Sequence, residues 1–404
     1  MRKLLAMLLA AMLVLSCFAG CKNAFNQAQT PAVDITDVFI GFLQEKTEEM
    51  ALQDFERVSL EAITAYQPNY GGYGVDVYYQ SLTSQEQTIY RVFQYALDHA
   101  QSYIFLDDRL LTGMDGSIYD VLCCLALDNP MLEQNLNWTS MTAEYTFTVQ
   151  EGLGKQQVSK LSGTILQMDV FSQSKLDKKL EALQVARQVV ADLPTDLTAV
   201  EKAEYFYRYL GEHTQYYVPE NSSEPQDYLY DAFILGKTNC DGYANAYALL
   251  CHLAEIPCME KLYTPQGNQV GHTWNAILLD GIWYNVDATG SAEVLEENVT
   301  LHGFCGSDAM QQYLPDYPDR IPACDRDLIP VDCTITQESQ AGKQVKDAYN
   351  QIKKTNRNYV IAVFPGGTAS SNAMQNIADA LQSNISTRYY LTNTGAAIYY
   401  IFVD

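Results

Sequence analysis

Apolar and polar positions alternate along this chain with two periods, and the period changes from one stretch to the next. In "SLTSQEQTIYRVFQYALDHA", Ile89, Phe93, Leu97 and Ala100 share one helical face, and Ser84 with Gln87 reads as a capping box. "SIYDVLCCLALDNP" continues as a helix until Pro130. Residues 34–65 are also read as helical. "AEYTFTVQ" alternates as a strand does, and 158–171 holds room for a second strand. Two helices follow. The second starts at a Thr198–Glu201 capping box and turns Val200, Ala203, Tyr207 and Leu210 inward. Near the C-terminus, "NYVIAVFPGGTASSNAMQNIADALQ" reads as strand, turn and helix, and "STRYYLTNTGAAIYYIFVD" as a hairpin around Asn393–Gly395. Gly366-Gly367 has no following Lys and no full GxGxxG, so it reads as turn chemistry and not as a phosphate site.

Two stretches carry candidate chemistry. In "KTNCDGYANAYALLCHLAEIP", Tyr243, Ala246, Tyr247, Leu250, Leu253 and Ala254 form one helical stripe. Asn239 is the predicted N-cap, which puts Cys240 in the first turn. A thiol there faces unpaired N–H groups and the positive end of the helix dipole, and both favour the nucleophilic thiolate. Taken alone, Cys240 reads first as a small buried residue closing a loop, and only a partner elsewhere raises the nucleophile reading. The second stretch is "GHTWNAILLDGIWYNVDATG". Asp280-Gly281 predicts a two-residue hairpin turn. Leu279 then opposes Ile282, and Trp274 opposes Asp287. His272 and Asp287 fall on one face as diagonal neighbours, roughly 7 Å apart at the backbone. A carboxylate there orients the imidazole, and the imidazole can hold a thiolate and later give a proton to a leaving amine. His99, His213 and His252 lie on or near helices and His302 lies past the hairpin. Among the histidines, His272 is the one with a derivable acidic neighbour.

Composition bounds the partners. The formal net charge is −24, which argues against nucleic acid and against an electrostatic grip on anionic lipid. No EF-hand pattern, CxxC pair or other ligand spacing occurs, so no metal or cofactor is implied. Ten cysteines are present. Cys123 and Cys124 read as buried thiols, and Cys324 with Cys333 as a pair able to bridge a short loop. The first residues, "MRKLLAMLLAAMLVLSCFAGCKN", read as a signal peptide over 1–20. "FAGC" resembles the bacterial lipoprotein box, with Cys21 as the acylated residue and Cys17 as the competing position. The expectation is an exported protein, lipid-anchored to the bacterial membrane at its N-terminus.

Cys240-Asp241-Gly242-Tyr243-Ala244, then Gly271-His272-Thr273-Trp274-Asn275, then Trp283-Tyr284-Asn285-Val286-Asp287-Ala288-Thr289 resemble the three motifs of the transglutaminase-like superfamily, of papain-like fold. Thr273 replaces the usual Ala and Ala288 the usual Pro. The resemblance implies an α+β catalytic domain with Cys240 as nucleophile, His272 as general base and acid, and Asp287 as the orienting carboxylate. The implied layout is a tether at 21–33, a helical N-terminal region with some strands at 34–195, the catalytic domain at 196–330, and a small α/β domain at 334–404. The implied function is acyl transfer on a protein or peptide through a Cys240 thioester, with hydrolysis expected over cross-linking. A peptide-binding module on the same fold is the non-enzyme alternative. Tyr230 is a candidate second oxyanion donor, and Trp274 and Trp283 are candidate walls of a substrate slot.

Overall fold

The computed structural model describes residues 37–41, 56–66, 75–99, 103–114, 116–132, 138–151, 155–168, 173–219, 226–265, 271–291, 303–329, 331–353, 357 and 359–403. The predicted signal peptide, Cys17, Cys21, the tether and His302 lie outside the described residues. The described residues form two compact units.

The first unit is a sheet of β1 (Asp37–Gly41), β2 (Glu56–Ser59), β3 (Tyr103–Asp107), β4 (Trp138–Glu151) and β5 (Lys155–Met168), in the order β2-β1-β3-β5-β4. The helix expected over 34–65 is corrected here. β1 and β2 pair antiparallel, and among the described residues of this stretch only Leu60–Ala65 is helical. The segments "DVFIG" and "ERVS" carry β-branched residues, and ladder pairing to β3 decides between two local options. The strands predicted at "AEYTFTVQ" and within 158–171 are present as β4 and β5.

The second unit holds the predicted chemistry. Helices α1 (Val77–Ser81), α2 (Ser84–Asp98) and α3 (Ile118–Asp128) come first. The capping box of α2 lies one residue upstream of the predicted one. Thr83 Oγ1 accepts the Glu86 N–H, and the Glu86 carboxylate accepts the Thr83 N–H. This register sends Glu86 inward. Buried Asp128 accepts the N–H groups of Tyr78 and Tyr79 and the Tyr90 hydroxyl, tying the three helices together.

Next come α4 (Gln173–Ala191) and α5 (Ala199–His213), the latter with the predicted Thr198–Glu201 box. A short parallel pair, β6 (Gln215–Tyr216) and β7 (Lys237–Thr238), precedes α6 (Cys240–Leu253). Helix α6 is buried nearly all round, as its Ala- and Leu-rich composition requires. Its Tyr243, Tyr247, Leu249 and Leu250 share one core with Ala182 and Ala186 of α4 and Phe206 and Leu210 of α5. Antiparallel strands β8 (Cys258–Tyr263), β9 (His272–Leu279), β10 (Ile282–Val286) and β11 (Phe304–Gly306) complete this part, in the order β11-β10-β9-β8. The Tyr78 hydroxyl donates to the Glu260 carbonyl of β8, which joins α1 to this sheet.

The last sheet contains β12 (Cys333–Thr334), β13 (Tyr359–Phe364), β14 (Ile385–Leu391) and β15 (Ala397–Val403), in the order β12-β13-β15-β14. Helices α7 (Ala341–Ile352) and α8 (Ser371–Leu381) cover one face. β15 is buried on both faces, and its alternation sorts the residues. Ala397, Tyr399 and Ile401 face α7 and α8, while Ile398, Tyr400 and Phe402 pack with Met310, Ile329 and Val331. Cys324 and Cys333, the pair able to bridge a short loop, are both free thiols. Cys324 is buried beside the Lys261 ammonium, and Cys333 lies on the edge strand β12.

Candidate active site

Asn239 caps α6 as predicted, its side chain accepting the Gly242 N–H at 3.2 Å. Cys240 is the first residue of the helix and is buried, with 7% of its surface exposed. Gly242 lets β7 press against this turn. A Cβ there would lie 1.9 Å from Thr238 Oγ1 and 2.7 Å from Thr238 Cβ, so rotating the threonine does not relieve the clash. Gly242→Ala is expected to cost about 1–3 kcal/mol through overpacking and to displace Cys240. Thermal unfolding and the rate of Cys240 alkylation together check this; an unchanged melting temperature contradicts it.

The hairpin register follows the prediction. Leu279 pairs with Ile282 and the ladder runs to Asn275 with Val286. Asp280 and Gly281 have φ of 51° and 78°, the twisted two-residue turn that suits adjacent strands. His272 opens β9, and Asp287 follows β10. His272 Nε2 lies 2.7 Å from Asp287 Oδ2. The Cys240 thiol lies close enough to act on the charge of the His272 ring. With Nε2 on the carboxylate, Nδ1 is the nitrogen left for the thiol. Asp287 is itself braced. Its N–H donates to the Gly303 carbonyl at 2.6 Å and its Oδ1 accepts the Thr289 N–H at 3.1 Å. Gly303 has φ of 86°, and a Cβ there would stand 2.7 Å from the Asp287 carbonyl oxygen.

Burial on its own lowers the pKa of His272. The bonds to Asp287 and Cys240, and their negative charges, outweigh it and raise the pKa to about 10. Burial also works against the Asp287 carboxylate, yet the bonds from His272 and Thr289 hold its pKa below the ordinary 3.8. The imidazole is therefore a cation at neutral pH, clamped between two groups that carry or can carry negative charge.

Other residues fix this geometry. Thr273 Oγ1 donates to Asp241, and Asn239 Nδ2 donates to the other Asp241 oxygen at 3.1 Å. Asn275 Nδ2 donates to the Ala244 carbonyl at 3.0 Å. The strand bearing His272 is thus laced to the helix bearing Cys240, and Thr273 is one of the laces. Trp274, 1% exposed, lies nearly parallel to the His272 ring at 6.0 Å. Its indole N–H donates to Asn285 Oδ1, which also accepts from the buried Lys261 ammonium at 2.8 Å. Asp308 takes bonds from both Lys261 and Asn285. Trp274 is therefore a floor beneath the histidine.

The remaining candidates fall elsewhere. Trp283 is half-buried near the hairpin turn, opposite Leu278. Tyr230 ends a short helical turn with the Lys178 ammonium 5.3 Å from its ring centre. Its described contacts do not include the triad. Two tyrosines that sequence patterning did not single out stand at the site. Tyr313 lies 4.8 Å from the His272 ring and 5.1 Å from the Tyr263 ring. Tyr216 is 47% exposed; burial first, then the charges of Cys240, Asp241 and Asp287, raise the pKa of its phenol. Neither sits in a periodic stretch that includes Cys240, His272 or Asp287.

Residues 183–288 match the model of the transglutaminase-like superfamily, and the chain carries a domain of that superfamily. Among curated proteins it is similar to kyphoscoliosis peptidase of Homo sapiens, with 28% identity over 149 residues, and to the Mus musculus protein, with 25% over 162. These matches span 32% and 36% of this chain but only 22% and 24% of the relatives' length. Among solved structures, the periplasmic domain of TgpA from Pseudomonas aeruginosa aligns with 41% of this chain and 70% of its own, at 14% identity and a TM-score of 0.23.

Proposed function

We propose that the protein is a cysteine acyl-transfer enzyme in which Cys240 forms a thioester with a protein or peptide carbonyl and water releases the product. The observation that carries this reading is the His272 ring, bonded to Asp287 at 2.7 Å and within electrostatic reach of the thiol at the start of α6. The thiolate attacks the carbonyl carbon, and the C=O π pair moves to oxygen. The first-turn N–H of Cys240 points at that oxyanion, because the opening N–H groups of a helix have no partner within it. Imidazolium gives its proton to the departing amine as the C–N bond breaks. The neutral His272 then takes a proton from water, water attacks the thioester, and the C–S bond breaks to restore the thiolate. Asp287 orients the ring throughout and moves no proton.

Hydrolysis is favoured over amine transfer because water at about 55 M outcompetes a lysine unless the site excludes it. Relatives named as a peptidase support the same direction. The test offers a glutamine peptide and an unrelated peptide library, each with and without a biotinylated amine. Cleavage or released ammonia without incorporation is the expected result. Cys240-dependent incorporation faster than hydrolysis overturns it in favour of cross-linking, and no reaction on any substrate favours a peptide-binding module. We place this activity outside the cytoplasm, on a chain anchored through acylated Cys21. A fatty-acid tracer should label the parent and not Cys21→Ala; label lost only in Cys17→Ala moves the site, and an unlabelled parent removes the anchor.

A further inference from the structure

Residues 308–320 cross the site as a strap held at both ends by parts of the second unit that contribute nothing to the triad. At its start, the Asn393 N–H donates to the Gln311 carbonyl at 2.8 Å, and Asn393 Nδ2 donates to the Asp308 carbonyl at 3.3 Å. Asn393 is at the tip of the β14–β15 hairpin. Met310 at this root packs on the Tyr359, Tyr400 and Phe402 face of the last sheet. A small cavity of about 30 Å³ lies at this junction, lined by Met310, Gln311, Tyr390 and Tyr400. At the other end, the Tyr317 hydroxyl donates to Asp120 at 2.9 Å, and Arg320 pairs with buried Glu86 at 3.0 Å. Midway, Asp316 bonds to Leu262 and Thr264 at the end of β8. Tyr313 hangs between these anchors, against His272 and within electrostatic reach of Tyr216.

We propose that this strap sets the opening over Cys240, that Tyr313 is the positioning residue that closes it on the His272 side, and that the hairpin tip at Asn393 holds it there. The proposal gives the last sheet a role: it is a bracket for the entrance. Helices α2 and α3 are the opposite bracket. An aromatic ring lying against a fixed imidazolium gains from the cation–π interaction and also limits the thickness of what can reach the thiol. An extended peptide passes such an opening, and a folded surface does not. This inference extends the acyl-transfer reading, but its test does not depend on turnover.

Asn393→Pro separates the two. Asn393 is the second residue of a four-residue turn closed by the Gly395 N–H to Thr392 carbonyl bond at 2.9 Å, a position that suits proline. The substitution keeps the hairpin and removes both bonds to the strap. Tyr317→Phe cuts one bond at the other end, Tyr313→Ala removes the closing ring, and Asn393→Asp keeps the backbone bond as a control. Two quantities are read. Hydrogen–deuterium exchange should rise in peptides covering 308–316 in Asn393→Pro and Tyr317→Phe, and not in α6. The ratio of Cys240 labelling by a biotinylated maleimide to labelling by iodoacetamide should rise about three- to tenfold in Tyr313→Ala and Asn393→Pro. In Asn393→Asp, which keeps the backbone bond and loses the Nδ2 donor, the ratio should rise less than in Asn393→Pro. Unchanged exchange at 308–316 in both end variants overturns the strap, and an unchanged ratio in Tyr313→Ala overturns its role at the entrance. A parent whose Cys240 does not react at all removes the acyl-transfer reading, and the exchange data then decide the strap by themselves.

Discussion

Asp287→Asn is expected to lower turnover by roughly a thousandfold or more while the protein still folds. The amide keeps the size of the carboxylate, but it lacks the charge that holds His272 as a cation and it can present a donor to the wrong ring nitrogen. Stability has its own signature. His272 has a folded pKa of about 10 against an ordinary 6.5, so its contribution is complete below 6.5 and is lost as pH rises through about 10. Asp287 is lowered from 3.8, so its contribution is present above 3.8 and is lost as pH falls through its folded value. The gap in melting temperature between parent and Asp287→Asn should be widest between about pH 4 and 6.5 and should close toward pH 10. Near-parent turnover in Asp287→Asn would mean that another group orients the histidine.

At pH 6, limiting iodoacetamide should modify Cys240 before any other thiol, and His272→Ala should slow that reaction about a hundredfold. The contrast comes from the other cysteines. Burial pushes Cys123 up to about 11, Cys324 to about 11, Cys124 to about 12 and Cys333 to about 12, and it also raises Cys258 and Cys305 well above the ordinary 9.0. A thiol in that state offers almost no thiolate at pH 6. Cys240 lies within electrostatic reach of His272, whose proton stays on the ring at that pH. Peptide mapping by mass spectrometry reads the order. Cys240 among the slowest thiols would remove the nucleophile.

The triad geometry was legible because each part of it is local. A capping Asn fixes Cys240 to a helix start, and a two-residue turn fixes every opposed pair of a hairpin once its first pair is known. Neither inference needs a distant contact. Tyr313 was not legible for the opposite reason. Its position depends on a strap whose ends are anchored by residues as far apart in sequence as Asp120 and Asn393. The capping box of α2 was misplaced by one residue because "TSQEQ" satisfies the pattern in two registers, and Arg320, the partner of buried Glu86, selects one of them. The strands in 34–65 were missed because a short β-branched segment takes its conformation from the neighbour it pairs with, and β3 is far away in the chain.

β15 lies between β13 and β14, although it follows both in sequence. A ribosome therefore releases Cys240, His272 and Asp287 well before it releases the strand that completes the bracket. A polypeptide cut short before Ala397 contains every triad residue, yet β13 lacks its central neighbour and the tip that holds residues 308–311 does not form. The apolar faces of Tyr359 and Ile361 would then lie open to proteases and chaperones. The last sheet, and the hairpin tip that bonds to Asp308 and Gln311, therefore close only once β15, Ala397–Val403, has been made.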